Sequence, residues 1–387
     1  MAMDRPAPAP AFKRKIFYLP GYDPRGARYY HALLAEEARK EGGLTLSPRG
    51  RAGGNVAWTL AREDGAVSGA HEFLVWDDIV RATWAKHPPA LLWQGIRTYW
   101  HLCRHLDWTL ARRWPHAGWK TLFLPGVLFI ALPVLLALGL WVLAGGGWLA
   151  LPVALGLGWA LAMELQRRLH SLWLLRFVIF STIISRREAP GLEARLDSFA
   201  ERIAAALEED WDEVLLIAHS AGTILSVMVM ARLLARRGGA MPRHFALVTL
   251  GSVIQLIACR RDAAWFGEDL DTVAAGDLRW LDIASVTDGA CVPLVAPCLG
   301  RAKEAPDGLV QITPRWFVYC DPAHYARRRR DKYQTHFDYL RRLDRASPVD
   351  YLGLVASARP IAQSIAAFEA QRHAGEYAGE YVGQCNA

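Results

Sequence analysis

The chain has 387 residues, of which 52% are hydrophobic and 21% are charged, and its formal net charge at pH 7 is +7. This length is sufficient for one large core with an insertion, and the positive charge favours contact with anionic lipid surfaces. The basic residues lie beside apolar and Trp-rich segments, and the sequence has no zinc-finger, helix-turn-helix or RNA-binding motif, which argues against nucleic acid as a partner.

The first part of the predicted core spans residues 12–78 and follows an alanine- and proline-rich tail, residues 1–11, that we expect to be disordered. The apolar residues 16–19 are too few for the central region of a signal peptide, so we expect no cleaved export signal. The predicted elements are a strand over residues 15–19, a helix over 25–41, two strands within 55–76, the second over 71–76, and a helix that begins at Asp77.

Residues 79–188 predict a helical insertion that contains a membrane hairpin. No charged side chain occurs in residues 121–163. At 1.5 Å per helical residue, residues 121–144 are long enough to span a hydrocarbon core of about 30 Å, Gly145-Gly146-Gly147 predicts a turn, and residues 148–163 return. The returning arm is shorter than the roughly 20 residues of a full span, so the sequence fits either a transmembrane or a re-entrant hairpin.

Basic residues flank this hairpin on both sides, whereas its glycine tip carries none. The positive-inside rule therefore predicts that both ends of the hairpin, and the core segments joined to them, face the cytoplasm. The six cysteines show neither a paired framework nor a Cys-x-x-Cys spacing, which indicates reduced thiols and agrees with that side. The flanking basic residues are Arg104, Arg112, Arg113 and Lys120 before the hairpin and Arg167, Arg168, Arg176, Arg186 and Arg187 after it.

Residues 189–345 predict the second part of the core, and residues 346–387 a C-terminal helix and tail. The apolar run 214–216 predicts a strand that is covered on both faces. The other predicted elements are a helix over 192–207, a helix over 223–236, a strand-like run over 278–286, a short apolar run over 316–320 and a helix over 322–332.

The strand at 214–216 leads into Ile-Ala-His-Ser-Ala-Gly at residues 217–222, directly before a predicted helix. This order places Ser220 on a strand-to-helix corner, where a strained backbone exposes a serine hydroxyl at the sheet edge. The small residues Ala218, Ala221 and Gly222 leave room for such a turn. We therefore interpret Ser220 as a candidate nucleophile; a buried serine in an ordinary turn is the structural alternative.

A serine hydroxyl is a poor nucleophile unless a histidine accepts its proton and a carboxylate orients that histidine. Asp288 is the preferred carboxylate, because it follows the run 278–286 and would lie in the loop at the carboxyl end of that strand. Asp288-Gly289 is also an ordinary turn dipeptide. The other acidic candidates are Asp282, Asp321 and Asp338.

His336 is the preferred base, because it follows the predicted helix 322–332 in Gln-Thr-His-Phe-Asp-Tyr. His324 is its main competitor. His219 is adjacent to Ser220, but its side chain would project sideways from the corner. We interpret His219 as a packing or orienting residue and not as the base.

These motifs resemble the α/β-hydrolase superfamily, in which a serine, an acid and a histidine follow in this chain order. Pro20-Gly21-Tyr22-Asp23-Pro24 follows the first strand where that superfamily usually has a His-Gly loop. The resemblance implies a mostly parallel α/β-hydrolase sheet with helices on both faces, interrupted here by the hairpin. It also implies an oxyanion hole formed by the amides of Tyr22 and Ala221, with Gly21 in support. Pro20 in place of the histidine and Ala218 in place of the first elbow glycine depart from the usual pattern.

The resemblance implies acyl transfer to Ser220, with His336 as base and then acid, Asp288 as its partner and water as the second acceptor; we expect no metal or cofactor. If the strand before the insertion is a core parallel strand, the hairpin leaves the sheet at the edge that carries Ser220. The expected substrate is therefore a lipid ester, a thioester or another acylated molecule. The alternatives are an acyltransferase using the same site, an esterase for soluble substrates tethered to the membrane, and a catalytically inactive membrane scaffold or binding protein.

Overall fold

The computed structural model describes residues 11–297 and 306–373, in a mixed α/β fold built on one nine-stranded sheet. Most of the predicted tail, residues 1–10, and the end of the chain, residues 374–387, lie outside the described residues. The strands are β1 (Phe12–Leu19), β2 (Leu44–Leu46), β3 (Gly50–Ala52), β4 (Asn55–Arg62), β5 (Val67–Phe73), β6 (Glu213–His219), β7 (Phe245–Leu250), β8 (Arg279–Ile283) and β9 (Leu309–Ile312).

The strand order is β2-β4-β5-β1-β6-β7-β8-β9, and β3 pairs with β4 outside this path. The run from β5 to β9 is parallel, whereas β4 pairs antiparallel with β2, β3 and β5. The sheet is therefore mostly parallel with an antiparallel edge. Parallel strands end at a common edge, so the segments that follow β1, β6, β7 and β8 meet there.

Helices surround this sheet and form the insertion between β5 and β6. The helices are α1 (Gly26–Glu41), α2 (Asp77–Thr83), α3 (Pro88–His105), α4 (Trp108–Ala111), α5 (His116–Gly126), α6 (Leu132–Leu143), α7 (Ala150–Leu169), α8 (Ser171–Ser185), α9 (Leu192–Ala206), α10 (Gly222–Arg236), α11 (Gln255–Ala258), α12 (Ala264–Ala274), α13 (Trp316–Tyr319), α14 (Pro322–Arg328), α15 (Lys332–Phe337), α16 (Tyr351–Val355) and α17 (Ile361–His373).

Two apolar cores lie on opposite faces of the sheet. Successive side chains of a strand point to opposite faces. In β1, Phe17 and Leu19 accordingly join the core formed with α8, α9 and α10, whereas Ile16 and Tyr18 join the core formed with α1 and α16. All seven residues of β6 are buried, as expected for a central strand that is covered on both faces.

The insertion contains a helical hairpin with an apolar surface. A π-helical turn, Val127–Ala131, joins α5 to α6, and the continuous helix His116–Leu143 is long and apolar enough to cross a membrane. The pair α7 and α8 passes the same test of length and composition if it forms a single span bent by 86°. The backbones of α6 and α7 touch, because a Cβ added at Gly158 would lie 2.7 Å from the Ala137 nitrogen. The outward side chains of Leu143 and Trp148 are 84% and 79% exposed.

The predicted helices and strands differ from the observed ones mainly at their ends and in the last third of the sheet. The second strand of the first segment is Val67–Phe73 and not 71–76, because Trp76 already caps α2. The apolar run 316–320 forms the helical turn α13 after Arg315, whose φ is +47°. The strand in this region is β9, whose side chains are mostly half-buried and give a weak apolar signal.

Candidate active site

Ser220 lies on the corner between β6 and α10, at the edge where the parallel strands end. Its φ is +56°, in the left-handed region that non-glycine residues rarely occupy. The Ser220 amide donates to the carbonyl of Leu250 at 2.9 Å, and the amide of Thr223 donates to the Ser220 carbonyl at 2.9 Å. These bonds hold the strained residue between the end of β7 and the start of α10. Ser220 is 8% exposed.

The corner requires residues without side-chain bulk on two sides. A Cβ added at Gly222 would lie 2.4 Å from the carbonyl oxygen of Leu19, and one added at Gly21 would lie 2.9 Å from the Cβ of Ser220. Ala218 and Ala221 are completely buried. The loop after β1 and the start of α10 therefore pack directly against the serine.

Asp288 and His336 form a buried pair at the same edge. The two residues are joined by a 2.8 Å hydrogen bond between His336 Nδ1 and Asp288 Oδ2, and both side chains are inaccessible to solvent. The amide of Ala290 donates to Asp288 Oδ1 at 2.8 Å, and the hydroxyl of Tyr339 donates to Oδ2 at 3.1 Å. Burial alone would raise the pKa of Asp288, but the charge and hydrogen bond of His336 and the Ala290 amide outweigh it and hold this pKa below its usual value.

The other ring nitrogen of His336 is available as a proton acceptor. A histidine that donates from Nδ1 to a carboxylate carries its lone pair on Nε2. His336 Nε2 is buried and has no hydrogen-bond partner in the described residues, so the bond to the Ser220 hydroxyl is not made in this structure. Catalytic hydrogen bonds are often long or absent in ligand-free sites.

Gly251 and His219 connect Ser220 to this pair. Gly251 directly follows the Leu250 carbonyl that binds Ser220, and a Cβ added there would lie 3.4 Å from His336 Cε1 and 3.3 Å from Asp288 Oδ2. The His219 ring lies 4.8 Å from the His336 ring, and its Nε2 donates to the His336 carbonyl at 2.9 Å. Burial, assisted by the charge of His336, lowers the pKa of His219 to about 3, so this histidine is neutral.

The alternative acids and the alternative base considered from the sequence lie in other surroundings. Asp282 accepts hydrogen bonds from Thr249 at 2.7 Å and from Gln311 at 3.0 Å, and Asp338 pairs with Arg328. Asp321 is largely exposed. His324 lies at the surface beside Asp344 at 2.8 Å. Among the acidic candidates in the described chain, Asp288 is therefore the one that His336 contacts through its side chain.

The two amides proposed for the oxyanion hole flank Ser220. The indole nitrogen of Trp76 donates to the carbonyl of Pro20 at 3.1 Å and fixes the loop before Tyr22. The Tyr22 ring stacks on Phe180 with 4.2 Å between centroids. Neither the amide of Tyr22 nor that of Ala221 donates to a group within the described chain. Both N–H groups are therefore without a hydrogen-bond acceptor in the described part of the chain.

The insertion packs directly on this site. The hydroxyl of Thr121, in α5, lies 3.1 Å from the carbonyl oxygen of Gly289 and 3.2 Å from that of Cys291, in the loop that carries Asp288. In α8, Trp173 packs against His336. The hairpin thus extends from the same sheet edge as Ser220. The contacts of Trp173 and Tyr339 were not predicted, since no local pattern indicates which distant residue an aromatic side chain will meet.

A second group of titratable residues lies apart from Ser220. His101 and His105 are one turn apart on α3, and His101 Nε2 lies 2.8 Å from Asp262 Oδ2, a geometry that could hold a metal ion. Arg260 also forms two 3.0 Å hydrogen bonds to the Asp262 carboxylate. This guanidinium already neutralises the carboxylate, so we interpret the group as an ion-pair network that joins α3 to the core.

Comparisons of the chain with protein-family models, with curated proteins and with solved structures give no match. The function of the site therefore has to be inferred from its own residues and geometry.

Proposed function

We propose that this protein is a membrane-associated serine hydrolase that cleaves a lipid or acyl ester, or a thioester, through an acyl-serine intermediate. The observation that carries the proposal is the position of Ser220, strained at φ +56° beside a buried Asp288–His336 pair whose Nε2 has no partner in the described residues. Backbone strain and unpaired buried polar atoms are concentrated at functional sites, and their coincidence at one sheet edge supports the proposal.

In the proposed reaction, Ser220 Oγ attacks the carbonyl carbon of the substrate while His336 Nε2 accepts the hydroxyl proton. The bond between that carbon and the leaving oxygen or sulfur then breaks, and His336 gives its proton to the leaving group. Water attacks the acyl-serine with His336 again as base, which releases the acid and restores the serine. Asp288 holds His336 in the required tautomer. If an alcohol or amine replaces water, the same steps transfer the acyl group.

The amides of Tyr22 and Ala221 would stabilise the negative charge that develops on the carbonyl oxygen. Backbone donors are held rigidly by the turn and by the Trp76–Pro20 hydrogen bond, so they need no reorganisation during the reaction. Removal of one such donor typically costs about 3 kcal/mol of transition-state stabilisation.

The chain order and topology support an α/β-hydrolase arrangement as part of this proposal. Ser220 follows β6, Asp288 follows β8 and His336 follows β9, so all three come after parallel strands in the order serine, acid, histidine. The antiparallel edge formed by β2, β3 and β4 is an additional feature beyond the parallel core.

We further propose that the hairpin inserts into a membrane and that the core lies on its cytoplasmic side. Exposed apolar side chains such as Leu143 and Trp148 at the hairpin tip are unfavourable in water. The basic residues at the hairpin base favour the cytoplasmic side. Because the hairpin packs on the loop of Asp288, the site would receive its substrate at the bilayer surface, which favours acylated lipids over soluble esters.

The test is labelling by a fluorophosphonate probe, which loses fluoride when an activated serine attacks its phosphorus. Wild-type protein in membranes should be labelled, and Ser220→Ala should not. Ser226→Ala is the matched control, since Ser226 is a buried serine less than two turns further along α10 that donates to the Thr223 carbonyl. Absence of labelling in folded wild-type protein would favour the inactive scaffold instead.

A further inference from the structure

The proposed reaction determines where the two parts of a substrate lie, and the present inference rests on that proposed function. His336 gives its proton to the leaving oxygen, so the leaving alcohol has to lie beside His336 Nε2. The carbonyl oxygen points to the amides of Tyr22 and Ala221. Side chains around His336 and the loop of Asp288 therefore face the leaving alcohol.

Lys332 is one of two lysines at this loop. Its Nζ donates to the carbonyl of Thr287 at 3.0 Å, and a Cβ added at Gly289 would lie 3.6 Å from its methylene groups. Lys332 also precedes His336 by four residues in α15, a spacing that brings two Cβ atoms to about 6 Å from each other on a helix. The ammonium group is thus held beside the residues that handle the leaving alcohol.

Lys120 belongs to the insertion and is adjacent in the chain to a residue that contacts the same loop. It precedes Thr121, whose hydroxyl lies within hydrogen-bond distance of the carbonyl oxygens of Gly289 and Cys291. Lys120 is also the last charged residue before the uncharged run 121–163. A lysine at that position lies at the level of lipid headgroups when the hairpin is in a bilayer.

Ion pairs among the described residues do not neutralise the positive charges of these two lysines. Neither Lys120 nor Lys332 forms an ion pair with a described residue, and both are exposed. Burial, followed by the like charges of Lys120 and Arg329, lowers the pKa of Lys332 against the opposing effect of Asp288. The adjacent carboxylate of Asp331 caps α15 through the amide of Gln334. An anion bound here would relieve the repulsion between the cations.

We propose that Lys120 and Lys332 bind a phosphate on the leaving alcohol, so that the substrate is an acyl ester of a glycerophosphate-type headgroup. Two ammonium groups suit a phosphate, because each offers several charge-assisted hydrogen bonds. In such an ester the phosphate is only a few bonds from the leaving oxygen. In a coenzyme A thioester a long arm separates the phosphates from the sulfur, which places them outside the reach of both lysines.

The test compares lysophosphatidate with a monoacylglycerol of the same acyl chain, two substrates that differ only in the phosphate. Wild-type protein should show the higher kcat/KM on lysophosphatidate. Lys120→Met and Lys332→Met should each lower this value by roughly tenfold, as expected for a lost hydrogen bond between charged groups, and should lower monoacylglycerol hydrolysis much less. Lys332→Arg should restore most of the preference. An acyl-coenzyme A of equal chain length is the third substrate and should not respond to the lysine variants.

Lys13→Met is the matched control, because Lys13 is a partly exposed lysine at the opposite end of β1. The preference should also shrink in high salt in wild-type protein, which requires no variant. Equal wild-type rates on both lipids, or lysine variants that lower both rates alike, would overturn the inference while fluorophosphonate labelling of Ser220 still upheld the proposed function. Loss of the label from wild-type protein would instead reject that function itself.

Discussion

The indole ring of Trp173 packs on the imidazole of His336, with 5.2 Å between the ring centroids. Trp173 belongs to α8, the helix that connects the hairpin to the core, whereas His336 belongs to α15. A residue of the insertion therefore covers the proposed base. This contact contributes to the burial of His336, and Ser220 is also only 8% exposed.

Replacement of this indole should open the site. We expect Trp173→Ala to increase the rate at which a fluorophosphonate labels Ser220 by roughly tenfold, equivalent to about 1.4 kcal/mol of barrier. The measurement is the labelling rate in detergent. Trp93→Ala is the control, since Trp93 is a tryptophan of the insertion that is 62% exposed. Slower labelling at unchanged thermal stability would show that Trp173 supports His336 and does not obstruct it.

Removal of the charge from Asp288 should abolish turnover without unfolding the site. Asp288→Asn turns an acceptor into a donor toward His336 Nδ1 and favours the wrong tautomer, so kcat on an activated ester should fall by about 10⁴-fold. Asp282→Asn tests another buried carboxylate, which accepts hydrogen bonds from Thr249 and Gln311. We expect its activity to stay close to that of the wild-type protein. The opposite ranking of the two variants would assign the acid to Asp282.

The strain at Ser220 should appear as a stability difference. Glycine adopts positive φ without strain, so Ser220→Gly should be about 1 kcal/mol more stable than Ser220→Ala. Thermal or denaturant unfolding in detergent measures the difference. The control pair is Ser226→Gly and Ser226→Ala within α10, for which the glycine variant should be the less stable by about 1 kcal/mol. Equal stability of the two Ser220 variants would indicate that the corner relaxes.

His71 should make the fold sensitive to acid. It is fully buried beside Trp58 and Tyr351, neither ring nitrogen has a partner in the described residues, and burial lowers its pKa from 6.5 to about 3. The unfolded chain therefore binds more protons between pH 3 and 6.5, and stability falls as the pH falls through this window. His71→Phe removes this loss.

When the pH is lowered from 7.5 to 5, the free energy of unfolding should fall by about 2 kcal/mol less in His71→Phe than in wild-type protein. Unfolding curves at the two pH values measure the effect, and His87→Phe, at an exposed histidine, should not reproduce it. An acid response that is the same in wild type and variant would mean that His71 binds protons equally well in the folded and the unfolded chain.

Local sequence patterns were sufficient to predict the helical hairpin and the corner at Ser220. A long uncharged run with a glycine turn strongly favours a helical hairpin, and the observed helices His116–Leu143 and Ala150–Leu169 extend beyond the predicted bounds on both sides. The apolar strand before Ser220 and the helix after it are equally local. The choice of Asp288 depended on its position after a strand, and β8 does end five residues before it.

Features that depend on tertiary contacts could not be predicted from local sequence patterns. The strand β7 was not predicted, although its carbonyl at Leu250 holds Ser220 in place. The hydroxyl of Tyr339 reaches Asp288 only because the last short helices turn back over the sheet edge. Likewise, Trp316–Tyr319 has a strand-like composition but forms a helical turn in its surroundings. Such outcomes depend on partners far away in the chain.

The central strand β1 pairs directly with β6, although the whole insertion separates them in the chain. A ribosome releases the amino-terminal part first. The hairpin is therefore synthesised while β1 can pair with β5 but still lacks β6, and Gly21 can contact Ser220 only after the last residues of β6 have emerged. If the hairpin inserts as proposed, it would enter the bilayer before the proposed catalytic centre exists, and a translation arrest between these two events would yield an anchored but inactive intermediate.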